Sequence, residues 1–276
     1  MKFFRDRTIA PRDKAQAPPL ALRIGSLQHI GARENQQDSF GTSDLSDHEL
    51  CLERGFLAVV TDGMGGLKGG ATFSSQAVNI FLHHFTASDL QLRGLTPGSP
   101  AEVLMGLLAE ANAHILRVKD DCDFPSGGST LVSVVISGTS LYFISVGDSR
   151  IYLLRGGALI QLSREHVYSV ELDDQAIRGE LTFDAARADS QRRALTSYLG
   201  MERLALIDRN VRPVRLLPKD YVLLMTDGVF GTLAEDEIAA TVFGSAAESA
   251  GRLERAVLDK GKSNQDNFTA IIIGCA

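Results

Sequence analysis

Phe56-Leu57-Ala58-Val59-Val60-Thr61-Asp62-Gly63-Met64-Gly65 is a continuous apolar run that ends in a carboxylate and a glycine loop. A run of this kind suits a strand covered on both faces. Its glycines predict that regular structure stops at Asp62. The pattern returns in Tyr221-Val222-Leu223-Leu224-Met225-Thr226-Asp227-Gly228-Val229-Phe230-Gly231. Each copy predicts a buried strand with Thr-Asp-Gly at its exit. Asp-Gly alone can be a hairpin turn, but neither copy is followed by a partner strand. The first leads into more glycine and then a helical spacing over Ala71 to Phe85. The second leads into Leu233 to Ile238, whose acids suit the first turn of a helix.

Around these two strands the chain alternates further signals. Ala21 to Gln28 reads as a strand. Ser99, Pro100 and Glu102 form a helix start with a capping box, and Val103, Leu104, Leu107, Leu108, Ala111 and Ile115 make that helix's apolar face. Thr130–Ser137 and Leu141–Gly147 flank Gly138-Thr139. Arg150–Arg155 and Ala158–Leu162 flank Gly156-Gly157. Both pairs predict hairpins. Val211–Leu217 and Phe268–Gly274 read as strands, and Ala246–Lys260 as a helix closed by Gly261. Residues 164–194 are polar and aperiodic, which predicts a mobile insertion with one or two short helices. Helices mixed with antiparallel strands argue for a layered α+β domain.

Composition narrows the function. The chain has 276 residues, a net charge of −6 and three cysteines without a C-x-x-C pair. The acidic balance disfavours nucleic acid as the main partner. Sparse, scattered cysteines fit a reducing cytoplasm and no thiolate zinc site. No apolar run reaches the ~18 residues of a membrane span. Residues 1–20, with Lys2, Arg5, Arg7, Arg12 and Lys14, read as a flexible basic tail, which leaves 21–276 as one domain. The histidines do not cluster. His83 and His84 are expected to face solvent or complement a helix end, and His166 to be structural.

The acids carry the chemistry. Asp38 follows the first strand, Asp148 follows Leu141–Val146, and Asp266 precedes the last strand. With Asp62 and Asp227 they would crowd carboxylates at the rims of core strands, which is costly unless a cation is present. An all-oxygen set without His or Cys suits Mg²⁺ or Mn²⁺. A pair of such ions can drive in-line attack on phosphorus, and Arg33 is placed to hold a phosphate. The strand–glycine loop–helix at 63–70 fails as a nucleotide motif, because Lys68 stands where the third glycine of G-x-G-x-x-G belongs and no G-x-x-x-x-G-K-[ST] occurs.

Six motifs resemble the PP2C (PPM) family of Ser/Thr phosphatases, in the family's order: Arg33 to Asp38, Asp62-Gly63-Met64-Gly65-Gly66, Gly128-Ser129-Thr130, Gly147-Asp148-Ser149-Arg150, Thr226-Asp227-Gly228-Val229-Phe230 and Asp266-Asn267-Phe268-Thr269. The resemblance runs from about Arg23 to Ile273. It implies a four-layer αββα sandwich, two antiparallel sheets flanked by helices. It implies a protein Ser/Thr phosphatase of bacterial type that uses a metal-bridging hydroxide for direct attack, with no phosphoenzyme. By motif position Asp62 would bridge two Mn²⁺ or Mg²⁺ ions, the Gly63 carbonyl and Asp38 would complete one, and Asp227 and Asp266 the other. Asp148 would help to hold a third, weaker ion. Arg33 would bind the substrate phosphate, and 164–194 would be the family's variable flap. The implied partners are a phosphoprotein substrate and an opposing Ser/Thr kinase. Met64 departs from the Asp-Gly-His-Gly form and leaves no obvious side-chain proton donor. Gln36 and Gln37 stand where other members often carry Asn and Glu. The competing reading is a catalytically inactive, phosphatase-like binding module in a signalling complex; the intact acids and Arg33 argue against it.

Overall fold

The computed structural model describes residues 20–86, 99–121 and 127–276. Apart from Leu20, the basic tail read at 1–20 lies outside them, as does Cys122. Two antiparallel sheets form the centre. One contains β1 (Leu22–His29), β7 (Arg150–Arg155), β8 (Ala158–Gln161), β11 (Tyr221–Met225) and β12 (Phe268–Cys275), in the order β1-β12-β11-β7-β8. The other contains β2 (Asp38–Thr42), β3 (Phe56–Met64), β5 (Leu131–Ser137), β6 (Ser140–Val146) and β10 (Val214–Arg215), in the order β10-β6-β5-β3-β2. The short β4 (Gly128–Ser129) adds to β3, and β9 (Asp208–Arg209) to β6.

The two-faced burial of β3 explains its unbroken apolar run. Phe56, Ala58 and Val60 face the other sheet, where they meet Val222, Leu224, Ile271 and Ile273. Leu57 and Val59 face outward into a second core built with α2 (Gly66–Thr86) and α3 (Pro100–Asp121), through Phe73, Phe81, Leu104 and Leu108. On the opposite outer face, α7 (Glu235–Thr241) and α8 (Ala246–Asp259) cover β11 and β12 through Ile238, Leu253 and Val257. The layers are therefore αββα, as the resemblance implied. Alternation along each strand distributes its residues between two cores.

Local chemistry sets the element ends. Glu102 accepts the Ser99 N–H at 2.9 Å, one half of the capping box. Ser245 caps α8, and Gly261, with φ of 61°, ends it. The start of α8 lies directly on β1, where a Cβ on Gly25 would fall 2.1 Å from the Ala246 carbonyl oxygen.

Three readings need correction. First, β3 does not stop at Asp62. It continues through Gly63 to Met64, because Gly63 pairs with Ser129 and Met64 with Gly128. Second, Val211–Leu217 is not a strand. Only Val214–Arg215 pair, since Pro213 has no N–H to give and Val211 stands in solvent. Third, His84 is half-buried against Glu110 of α3, to which it pairs, while His83 is exposed. Beyond these, β2 and the short helix α1 (His48–Glu53) carried no clear signal, and α2 begins five residues before Ala71. His166 is structural as read. It is buried, its Nδ1 accepts the Gly147 N–H, and its own N–H donates to the Gly147 carbonyl.

The 164–194 stretch contains two short helices, α4 (Tyr168–Ile177) and α5 (Phe183–Ala188). They pack through Leu172, Ala176 and Ala186. Arg192 clamps them with two hydrogen bonds to Asp173, at 2.9 and 2.8 Å. Among the described residues no helix is long and apolar enough to cross a membrane.

Candidate metal centre

The candidate acids gather from both sheets at one end of the sandwich. Asp38 opens β2 and is the register partner of Asp62 on β3. Asp227 is the first residue of α6 (Asp227–Phe230), directly after β11. Asp266 sits in the loop before β12, and Asp148 in the turn between β6 and β7. A fully buried threonine joins the sheets here. Thr226 Oγ1 donates to Asp38 Oδ2 at 2.9 Å and accepts the Thr269 N–H at 3.0 Å. The loop carrying Asp266 is fixed by Asn267, whose side chain accepts the Gln37 N–H and donates to the Ile30 carbonyl, both at 2.8 Å. The Asp62 N–H donates to Thr130 Oγ1 at 2.9 Å, which in turn contacts Ser149 Oγ at 2.8 Å.

Burial and mutual repulsion set the electrostatics. Asp38 is pushed up to about 7, first by burial, while the Thr226 hydroxyl on Oδ2 favours its charged form. Asp148 is also pushed up to about 7, by burial and then by Asp227 and Glu165. Asp62 lies well above the carboxylate range through burial, then Asp38, Asp227, Asp148 and Asp266. Burial and Asp266 raise Asp227, while Arg193 and Arg33 oppose the shift. Arg33 is exposed on its outer side and donates from Nη2 to Asp266 Oδ2 at 2.7 Å.

This donor set fits divalent cations. Asp38 Oδ1 is buried and has no hydrogen-bond partner. An orphaned, buried carboxylate oxygen is what a hard cation would relieve. No His or Cys belongs to the set. As the side chains stand, no three His, Cys, Asp or Glu groups among the described residues are close enough to ligate an ion. Gly63 is also required by space, since a Cβ there would lie 2.1 Å from the Gly70 carbonyl oxygen and 2.8 Å from that of Gln37.

The fold brings Asp38 beside Asp62, Arg33 onto Asp266, and Asp148 and Asp227 within electrostatic reach of Asp62, but the groups that support them were less visible in the sequence. Thr226, Thr130, Ser149, Thr269 and Asn267 all lie within or beside the quoted motifs, yet their roles need the fold. The two Thr-Asp-Gly copies even use threonine differently. Thr61 Oγ1 ties β3 to Ser39 and Ser74 carbonyls, whereas Thr226 holds Asp38.

The raised carboxylates give a pH-linked prediction. Between the unfolded value near 4 and the folded value of about 7, the native state holds protons that the unfolded chain releases. Metal-free stability therefore falls as pH rises through that window. A cation replaces the protons, so its benefit grows in the same direction. At about 100 times its Kd, Mn²⁺ is expected to raise Tm by about 5–10 °C at pH 7.5 and by clearly less at pH 5.5, read by differential scanning fluorimetry. An equal shift at both values would contradict the cluster.

The family model for protein phosphatase 2C matches residues 27–269. Serine/threonine phosphatase stp of Listeria monocytogenes is 26% identical over 246 residues, spanning 87% of this chain and 90% of that protein. The Streptococcus agalactiae serine/threonine phosphatase superposes with a TM-score of 0.76 at 23% identity, over 93% of this chain and 100% of that one, a likeness of fold. The catalytic domain of serine threonine protein phosphatase PstP, solved in complex with two manganese ions, superposes with a TM-score of 0.69 at 26% identity, over 93% and 99% of the two chains.

Proposed function

The chain belongs to the protein phosphatase 2C family, and from that premise we propose that it is a metal-dependent protein phosphatase hydrolysing phosphoserine and phosphothreonine. The observations that carry this reading are the unpartnered, buried Asp38 Oδ1 and the mutual repulsion that Asp62 feels from Asp38 of its own sheet and from Asp227 and Asp266 of the other. The residues toward the ions are those read from the motifs. Asp62 would bridge, Asp38 and the Gly63 carbonyl would serve one ion, Asp227 and Asp266 the other, and Asp148 a third. When bound, Mn²⁺ or Mg²⁺ supplies Lewis acidity and lowers the pKa of water at the site.

The chain's own residues do the rest. Arg33 is held by one of its five N–H donors on Asp266, which leaves the others for a phosphate. Thr226 orients the Asp38 carboxylate by donating to Oδ2, which partly offsets the upward push of burial. Met64 offers no proton, so the leaving alkoxide takes one from water. The substrate is a phosphoprotein, supplied by an opposing Ser/Thr kinase, and the setting is cytoplasmic with 21–276 as the catalytic unit.

Hydrolysis of p-nitrophenyl phosphate and a phosphothreonine peptide with Mn²⁺, with Mg²⁺ and with EDTA tests the proposal. Turnover that EDTA abolishes supports it. No turnover in folded protein that binds Mn²⁺ would favour the inactive binding module. Arg33→Ala is expected to raise KM and lower kcat/KM by about ten- to a hundredfold, or ~1.4–2.7 kcal/mol. Arg33→Lys should recover only part, because lysine lacks the fork. Full recovery by lysine would show that charge alone matters.

A further inference from the structure

Two of the acids, Asp148 and Asp227, line a cleft of about 710 Å³ that is also lined by Arg150, Arg187, Arg192 and Arg193. Building on the phosphatase reading, we infer that this arginine wall selects phosphopeptides with Asp or Glu beside the phosphorylated residue, and that Arg187 and Arg193 determine the preference.

The four arginines are not equivalent. Arg150 is spent within the fold. Its Nε donates to Glu165 at 2.6 Å, its Nη1 to the Tyr152 hydroxyl at 2.8 Å, and its guanidinium lies 3.9 Å from the Phe230 ring centroid. Arg192 is spent on Asp173 and the Ala186 carbonyl. Arg187 has only a 4.0 Å approach to Asp184, with the two side chains 73% and 99% exposed. A pair so exposed contributes little. Arg193 is exposed and forms no ion pair among the described residues, yet its charge reaches Asp227. Asp189 also lines the cleft, but its Oδ1 already accepts the Gln191 N–H at 2.7 Å.

Two uncommitted guanidiniums therefore face a cleft that begins at the candidate centre, in a chain of net charge −6. Arg33, on the Asp266 side, already serves the scissile phosphate. The second pair of cations lies where flanking residues of a bound peptide would run. Carboxylates are the side chains that guanidinium forks take up. A neutral peptide would gain nothing from this wall.

The test compares two phosphothreonine peptides, one flanked by Asp and Glu and the other by Asn and Gln, with p-nitrophenyl phosphate as a third substrate. The readout is the ratio of kcat/KM for acidic to neutral peptide, which cancels any general change in activity. The wild-type ratio is expected to be about ten, to arise in KM, and to shrink as salt is added. It should fall to about one in Arg187→Gln/Arg193→Gln and stay near wild type in Arg187→Lys/Arg193→Lys. A wild-type ratio of one with p-nitrophenyl phosphate still hydrolysed overturns this inference alone. A ratio that survives in the glutamine variant overturns the assignment to these two residues. Failure to hydrolyse any of the three substrates overturns both this inference and the phosphatase reading.

Discussion

Replacing Asp62 with asparagine is expected to lower metal-dependent kcat/KM at least about a hundredfold, or ~2.7 kcal/mol of transition-state stabilisation. Burial first, and then Asp38, Asp227, Asp148 and Asp266 together, push the Asp62 carboxyl well above the usual carboxylate range. The bridging role proposed for it makes Asp62 the worst place in the proposed centre to lose a charge. The same repulsion means that the carboxylate does not hold the metal-free fold together. Its N–H stays on Thr130 and its carbonyl accepts from Ser129 Oγ and the Thr130 N–H whatever the side chain. The metal-free Tm of Asp62→Asn should therefore not fall, while the Mn²⁺-induced rise should shrink. Steady-state kinetics and fluorimetry on one sample check both halves. Retention of more than a tenth of the activity would remove Asp62 from the centre.

Gly63→Ala is expected to act the opposite way, through the fold. The new Cβ would overlap the Gly70 carbonyl oxygen at 2.1 Å and crowd the Gln37 carbonyl oxygen at 2.8 Å. Both neighbours are backbone, so no side-chain rotation relieves the contact. Overpacking typically costs ~1–3 kcal/mol; an overlap of backbone atoms belongs at the upper end, and Tm should drop by about 5–10 °C. Because β3, α2 and the segment before β2 meet at this point, Mn²⁺ affinity should fall as well. Gly106→Ala is the control. It lies in α3 with nothing within 4 Å of the added Cβ, and removing a helical glycine should stabilise by ~0.5–1 kcal/mol. A Gly63→Ala protein as stable as wild type would show that β3 and α2 can part without cost.

Much of the architecture was legible because its signals are local. The strands at Phe56 and Tyr221 announce themselves by apolar runs too long for one-sided burial, and the hairpins at Gly138 and Gly156 by turn residues between β-rich segments. The helix starting at Pro100 is marked by its own cap. Elements that draw on distant partners were not legible. β2 is a polar pentapeptide, Asp38-Ser39-Phe40-Gly41-Thr42, that becomes a strand only because β3 offers it an edge. Gly63 and Met64 stay in β3 only because Gly128 and Ser129 return to pair with them. Val211–Leu217 had strand composition but no partner along most of its length.

By itself the sequence determined a layered α+β domain and the strands that end in acids, and it nominated the acids and the arginine of the proposed centre, since residue type and position along an element are properties of the chain. Tertiary structure alone decided how those acids are held and what surrounds them. Thr226 and Thr61 occupy the same place in the same local pattern, yet one grips Asp38 across the sheets and the other grips the carbonyls of Ser39 and Ser74. Of the four arginines at the cleft, two are bound by Glu165 and Asp173 and two are left open. Hydrogen bonds and ion pairs between residues far apart in the chain depend on which surfaces the packed sheets bring together, and that is fixed only when burial of the three cores has set their distances.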